Sequence, residues 1–197
     1  MEERLRQQME FALELDKEKR IGRQTYLSGA IRKENDAEHA WHIALMTMLL
    51  SEYANEKIDI QRTMAMTIIH DVIEIDAGDT YAYDDAGNET KRERELKAAD
   101  RIFNLLPADQ AEFFRALWDE FEEAKTPEAK FAHAMDSVQP IMLNDATDGL
   151  AWREHEVAVS KVRARAERKI RPGSEKLFAY INGLLEKNVE KGNLKPE

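Results

Sequence analysis

His70 and Asp71 stand side by side in the run IIHDVIE, within the most apolar stretch of the chain, about Ile60 to Ile75. An ionised carboxylate among Ile68, Ile69, Val72 and Ile73 is costly to bury unless a cation pairs with it. A divalent metal ion supplies such a charge and accepts imidazole and carboxylate together as ligands. On a helix turning about 100° per residue, Glu74 falls between His70 and Asp71 in azimuth, one turn further on, so all three address one pocket. An ion of this kind takes about four to six ligands, so other helices must contribute. His39, beside Ala40 and Trp41, and Asp136, between Met135 and Val138, are polar intruders on faces that otherwise read as core. The candidate ligand set is therefore His39, His70, Asp71 and Asp136, with Glu74 beside it.

Composition restricts the alternatives. The chain has no cysteine, which removes disulfides, zinc-thiolate sites and a thiol nucleophile. A net charge of −10 opposes the clustered basic surface that nucleic acid needs. A small anionic substrate remains compatible, because the field inside a cleft can differ in sign from the net charge. Charged residues make up 35% of the chain, against 8 glycines and 5 prolines, a balance that favours solvated helices over turn-rich β structure. The expectation is an all-α bundle formed as one domain over 1–197. The charged start (Met1, Glu2, Glu3, Arg4) and the lack of any apolar run approaching about 20 residues predict a cytoplasmic protein without membrane partners.

These residues need elements to position them. Apolar spacing predicts an amphipathic helix over Glu3 to about Leu15, then an irregular basic segment between Lys17 and Lys33 that is the best anion-binding candidate. A helix capped by Asp36 should run to Tyr53 and carry His39 and His42, followed by the central helix from Ile60 to Ile75. Asp76 to Thr90 reads as an acidic loop beside the pocket, in which Asp76, Asp84 and Asp85 are solvated. Further helices are predicted over Lys91–Leu106, Pro107–Glu123, Pro127–Leu143 with Pro140 as a kink site, Glu154–Ile170, and beyond Pro172 and Gly173. The metal-binding core would span about 19–148, with C-terminal helices over about 154–191 packed on it. His42 and His155 are read as ordinary packed or solvated histidines, and His133, one turn before Asp136, as a weaker ligand candidate. Trp41, Trp118, Trp152 and the methionines should fill helix interfaces, and Lys161 to Arg171 should be a solvated face.

His39, the His70-Asp71 pair and the distant Asp136 follow the pattern of one His, an adjacent His-Asp and a later Asp, and in this the chain resembles the HD-domain superfamily of metal-dependent phosphohydrolases. The contexts RKENDAEHAWHIALM, HDVIEIDAGD and HAMDSVQP resemble the subgroup that includes the 5′-deoxynucleotidases, over about Lys19 to Asp148. The resemblance implies that Glu74 and Asp79 assist catalysis and that Arg23 contacts the substrate phosphate. It also implies a homodimer. Superfamily members with two-metal centres add histidines between the His-Asp pair and the last Asp; this chain has none between His70 and His133, so one divalent ion is expected, from among Mn, Co, Fe, Ni and Zn. The expected reaction releases phosphate from a (deoxy)nucleoside 5′-monophosphate. Alternatives are hydrolysis of guanosine tetraphosphate or a deoxynucleoside triphosphate, or a non-catalytic nucleotide- or metal-binding regulator.

Overall fold

A reciprocal cap fixes the helix that carries His39. The Asn35 side chain accepts from the Glu38 amide at 2.9 Å, and Glu38 Oε2 accepts from the Asn35 amide at 3.1 Å. This is the capping box that satisfies two orphan donors at once, and it makes Asn35 the cap where the sequence suggested Asp36. The helix, α2, spans Asp36–Leu50, so Asp36 becomes its first residue and is fully buried. It tightens into a 3-10 turn over Ser51–Tyr53 instead of continuing as α-helix. The computed structural model describes residues 2–83, 87 and 89–196; Asp84 and Asp85 lie outside the described residues.

Before α2, helix α1 (Glu2–Leu15) leads through a 3-10 turn (Asp16–Arg20) into two short antiparallel strands, β1 (Gly22–Tyr26) and β2 (Lys33–Asn35). Gly22 faces Asn35 and Tyr26 faces Lys33. The basic segment read as irregular is thus a hairpin, too short for alternation to announce it. It buries Thr25 and Glu34 and holds Arg23 against the start of α2.

Helix α3 (Ile60–Ile69) is capped by Asp59, whose side chain accepts from the Arg62 amide at 3.1 Å. It ends at Ile69 and does not reach Ile75. Three-residue bonds take over, Val72 N to Ile69 O at 3.2 Å and Glu74 N to Asp71 O at 2.8 Å, before a short helix α4 (Glu74–Ala77) stops at Gly78 with φ +74°. The β-branched Ile68, Ile69, Val72 and Ile73 favour a helix weakly here. His70 and Asp71 therefore sit at a break in the ladder and not in mid-helix.

The remaining described helices are α5 (Lys91–Phe103), α6 (Ala108–Glu123), α7 (Pro127–Ala146), α8 (Leu150–Glu154), α9 (Val159–Lys169) and α10 (Glu175–Glu190). The helix expected over Glu154–Ile170 is split, because Glu156 takes φ +50° and the backbone of 157–159 pairs with Lys195. Helix α7 is the hub. Its Ala129 and Ala132 face Met66, Ile102 and Trp118, while its Phe131, Met135, Val138 and Ile141 face Val162, Ile170 and Ile181. Pro140 sits inside α7, and its missing amide leaves the Asp136 carbonyl without its usual partner one turn on. Trp118 and Trp152 are buried as expected, but Trp41 is 65% exposed, as are Met9 and Met48 to a similar degree. Among the described residues no helix is long and apolar enough to cross a membrane.

The closest backbone approach gives a stability test. A Cβ on Gly173 would lie 2.4 Å from the Lys130 carbonyl oxygen, whereas one on Gly183, within α10, would meet nothing within 4 Å. Gly173→Ala should cost about 1–3 kcal/mol through overpacking, and Gly183→Ala should gain about 0.5–1 kcal/mol from helix propensity. Urea unfolding midpoints of the two variants should move in opposite directions.

Candidate metal centre

Helix α2 brings His39, the break after α3 brings His70 and Asp71, and α7 brings Asp136 to one buried point. Asp136 Oδ1 lies 3.3 Å from His39 Nε2 and 3.8 Å from His70 Nε2, and His70 Nε2 lies 3.0 Å from Asp71 Oδ2. Donor atoms of His39, His70 and Asp136 all fall within 4.8 Å of one another. Ligands bonded at about 2.1 Å to one ion sit about 3.0–3.5 Å apart, so these separations suit a shared cation.

The other ring nitrogens are already committed. His70 Nδ1 donates to the Thr67 carbonyl at 2.9 Å, and His39 Nδ1 donates to Gln139 Oε1 at 3.1 Å. Gln139 in turn donates from Nε2 to Glu34 Oε2 at 2.7 Å. Both bonds leave the Nε2 atoms facing carboxylates, His39 toward Asp136 and His70 toward Asp71 and Asp136, the outer-shell arrangement that orients metal-binding imidazoles. His70 Nε2 is buried without a hydrogen-bond partner. Two imidazoles, two carboxylates and one orphaned nitrogen fit a divalent ion.

Electrostatics point the same way. Burial alone would push Asp71 up, but His70 and Arg23 overcome it and hold the carboxyl far below its usual range. Burial also opposes the charge on His70, yet Asp71 and Asp136 raise it well above an ordinary imidazole. His39, deeply buried and facing the Arg23 charge, falls to about 4. A pocket whose carboxylates favour positive charge at His70 suits a cation at that position.

A second group of buried carboxylates, Asp36, Asp71 and Glu74, gathers beside the first. Arg23 is threaded through it: Nη1 donates to Asp71 Oδ2 at 2.8 Å and to Asp36 Oδ1 at 3.1 Å, and Nε is 3.5 Å from Glu34 Oε1. Burial, reinforced by Asp71, raises Glu74 well above its usual range, and Lys91 Nζ stands 4.0 Å from its Oε1. Asp79 is half-buried and raised chiefly by burial, against the pull of Arg23. Arg23, Asp71, Glu74, Asp79 and Lys91 line a cavity of about 400 Å³ whose walls also include Tyr81, Trp152, Arg165 and Lys169.

The residues predicted from sequence thus meet here: His39, His70 and Asp136 in one cluster, Asp71 joined to it through His70, with Glu74, Asp79 and Arg23 around them. His133 does not join, since its Nε2 donates to the Phe121 carbonyl at 2.8 Å. His42 is an outer neighbour, with its Nδ1 3.3 Å from Gln139 Nε2, and His155 lies at the surface beside Tyr81. Sequence reasoning missed Glu34, Asp36 and Gln139. Gln139 had a signal, one turn after Asp136 on the same face, whereas Glu34 is meaningful only once the hairpin is formed. It also misread part of Lys161–Arg171, because Arg165 and Lys169 line the cavity.

A helical fold with paired imidazoles and carboxylates buried at the junction of three helices is the HD-domain type. Residues 15–178 match the HD domain family, and the chain belongs to it. Human 5′-deoxynucleotidase HDDC2 is 30% identical over 111 residues, which are 56% of this chain and 53% of that protein. The Schizosaccharomyces pombe 5′-deoxynucleotidase hdd1 is 31% identical over 117 residues, 57% of this chain and 58% of that one. The chain thus spans a little over half the length of these curated relatives. A crystal structure described as a predicted metal-dependent phosphohydrolase from Magnetospirillum magnetotacticum MS-1 superposes with a TM-score of 0.94 at 49% identity, covering 99% of this chain and 97% of that one. A conserved hypothetical protein from Pyrococcus furiosus shares the fold at 22% identity, with a TM-score of 0.62 over 92% of this chain and 99% of its own.

The buried carboxyls make stability depend on pH in the metal-free protein. Burial raises Asp36 to about 8 and Glu34 and Glu18 to about 7, so the folded state holds protons that the unfolded chain has already released. Stability from these protons is lost as pH rises through 7 to 8, and His70, also raised, acts in the same direction. His39 and His133, lowered to about 4 and about 3, oppose this only below the ordinary histidine range, where the unfolded chain takes up protons first. Urea midpoints of the metal-free protein should therefore fall between pH 6.5 and pH 8.5, and Glu34→Gln should flatten the slope.

Proposed function

We propose that this protein is a divalent-metal-dependent phosphohydrolase that releases phosphate from nucleoside 5′-monophosphates, deoxyribonucleotides foremost. The observation that carries the reading is the convergence of His39, His70, Asp71 and Asp136 beside a cavity, lined by the last three, that also presents cations and aromatic rings. Its volume of about 400 Å³ falls within the range of small-ligand sites. The names of the curated relatives support the same substrate class.

His39, His70, Asp71 and Asp136 hold one ion, drawn from Mn, Co, Fe, Ni or Zn. Such an ion supplies Lewis acidity toward a phosphoryl oxygen and acidifies water. Glu74, kept protonated by burial beside Asp71, serves as the proton donor, while the more exposed Asp79 accepts the proton of the attacking water. Arg23 keeps Asp71 ionised through Nη1, and among the described residues its hydrogen bonds run from that nitrogen, leaving Nη2 for the substrate anion. The chain works as one domain over 1–197, in the cytoplasm and as a homodimer; the exposed Trp41, Leu45, Met48 and Leu49 along α2 support association.

Phosphate release from a panel of ribo- and deoxyribonucleoside 5′-monophosphates, by metal-stripped protein resupplied with single divalent ions, tests the reading. Turnover should appear with at least one ion, fall about a hundredfold or more in Glu74→Gln and vanish in Asp71→Ala. No release with any ion, or undiminished release by Asp71→Ala, would overturn it.

A further inference from the structure

We propose that Arg165 and Lys169 on α9 hold the anionic group of the substrate from a second wall of the cavity, a role that rests on the phosphohydrolase reading. The sequence places both in a basic run that looks solvated. In the fold, α9 buries Val159, Val162 and Ala166, and this leaves Arg165 and Lys169, one turn apart, facing the cavity while Arg163 and Glu167 face solvent.

Arg165 Nη2 lies 3.4 Å from Asp136 Oδ2, the oxygen that His39 does not face. Its guanidinium is therefore within one side chain of the metal-binding donors, where a phosphoryl oxygen would sit. Lys169 is half-buried, and among the described residues its ammonium has one hydrogen-bond partner, the neutral His133 Nδ1 at 3.2 Å, and no carboxylate within 4.0 Å. Arg23 differs: three carboxylates already surround it, and much of its charge is spent on them. Asp136 and Glu122 act on Lys169 from further off, but among the described residues no carboxylate pairs with it directly, so this part-buried cation keeps charge available for an anion. A phosphate dianion entering the cavity supplies that anion, with Arg165 offering a planar fork and Lys169 a point charge.

The test uses metal-loaded full-length protein. Inorganic phosphate is titrated calorimetrically, and KM and kcat for nucleoside 5′-monophosphates are measured, in wild type, Arg165→Gln, Lys169→Gln, Lys169→Arg and the solvent-facing control Arg163→Gln. Bound metal and melting temperature are recorded for each. Removing either cavity cation should weaken phosphate binding and raise KM about tenfold or more, with metal content unchanged; Lys169→Arg should recover most of the loss and Arg163→Gln should match wild type. Wild-type phosphate affinity in both glutamine variants, or no phosphate binding by wild type, would overturn the proposal. Should Lys169→Gln melt early, Arg165→Gln decides alone. Wild type that binds phosphate but turns over no nucleotide sinks the nucleotidase reading, while the phosphate titrations still judge these two residues.

Discussion

The structure is organised around an excess of buried negative charge. Asp36, Glu34, Glu74, Glu18 and Asp71 are each no more than 8% exposed; Arg23 pairs with Glu34, Asp36 and Asp71, while Lys91 stands 4.0 Å from Glu74. Ionised carboxylates at such density repel one another, so some hold protons and the rest require positive charge. The upward shift of His70 and the close approach of its buried Nε2 to Asp71 at 3.0 Å are consequences of that imbalance. The protein holds an arrangement that is uncomfortable alone and relieved by a metal ion.

Holding it requires rigid support from several directions. The capping box at Asn35 and Glu38 sets where α2 begins and hence where His39 points. The early end of α3 turns His70 and Asp71 out of a regular ladder, letting adjacent side chains reach one centre. Helix α7 contributes Asp136 as a donor, Gln139 as the clamp on His39 and His133 as the partner of Lys169, each three residues after the last in the order His133, Asp136, Gln139. One helical stripe thus links the metal site to the cationic wall. Its other faces are locked by apolar contact on both sides, which stops the donors drifting apart.

The cavity beside the site combines several chemistries. Carboxylates and imidazoles share its lining with cations from α9 and with Tyr81, Tyr83 and Trp152. That combination suits a ligand with an anionic group and a flat apolar part. It also explains how a chain of net charge −10 can receive an anion, since the local field is set by a few placed cations and not by the sum.

Much of the site was legible in the sequence, because a His-Asp pair in an apolar run has few physical excuses, and Asp136 and His39 broke the apolar pattern of their own helices. Helical class followed from composition and spacing, and most helices lie where periodicity placed them. The hairpin and the split before α9 were not legible, since they depend on hydrogen bonds such as Asp36 N to Ile21 O and Val159 N to Lys195 O; the end of α3 at Ile69 comes from a local switch to three-residue bonds that apolar spacing does not reveal. The partners of the donors were hidden for the same reason: Gln139, which clamps His39 and bonds Glu34, lies 105 residues from Glu34 in the chain. Sequence determined which residues could not be left buried without a cation, a local property of side chain and surroundings. Only the tertiary structure decided which charges meet, because the Coulomb energy of Arg23 or Lys169 depends on distances that folding alone creates.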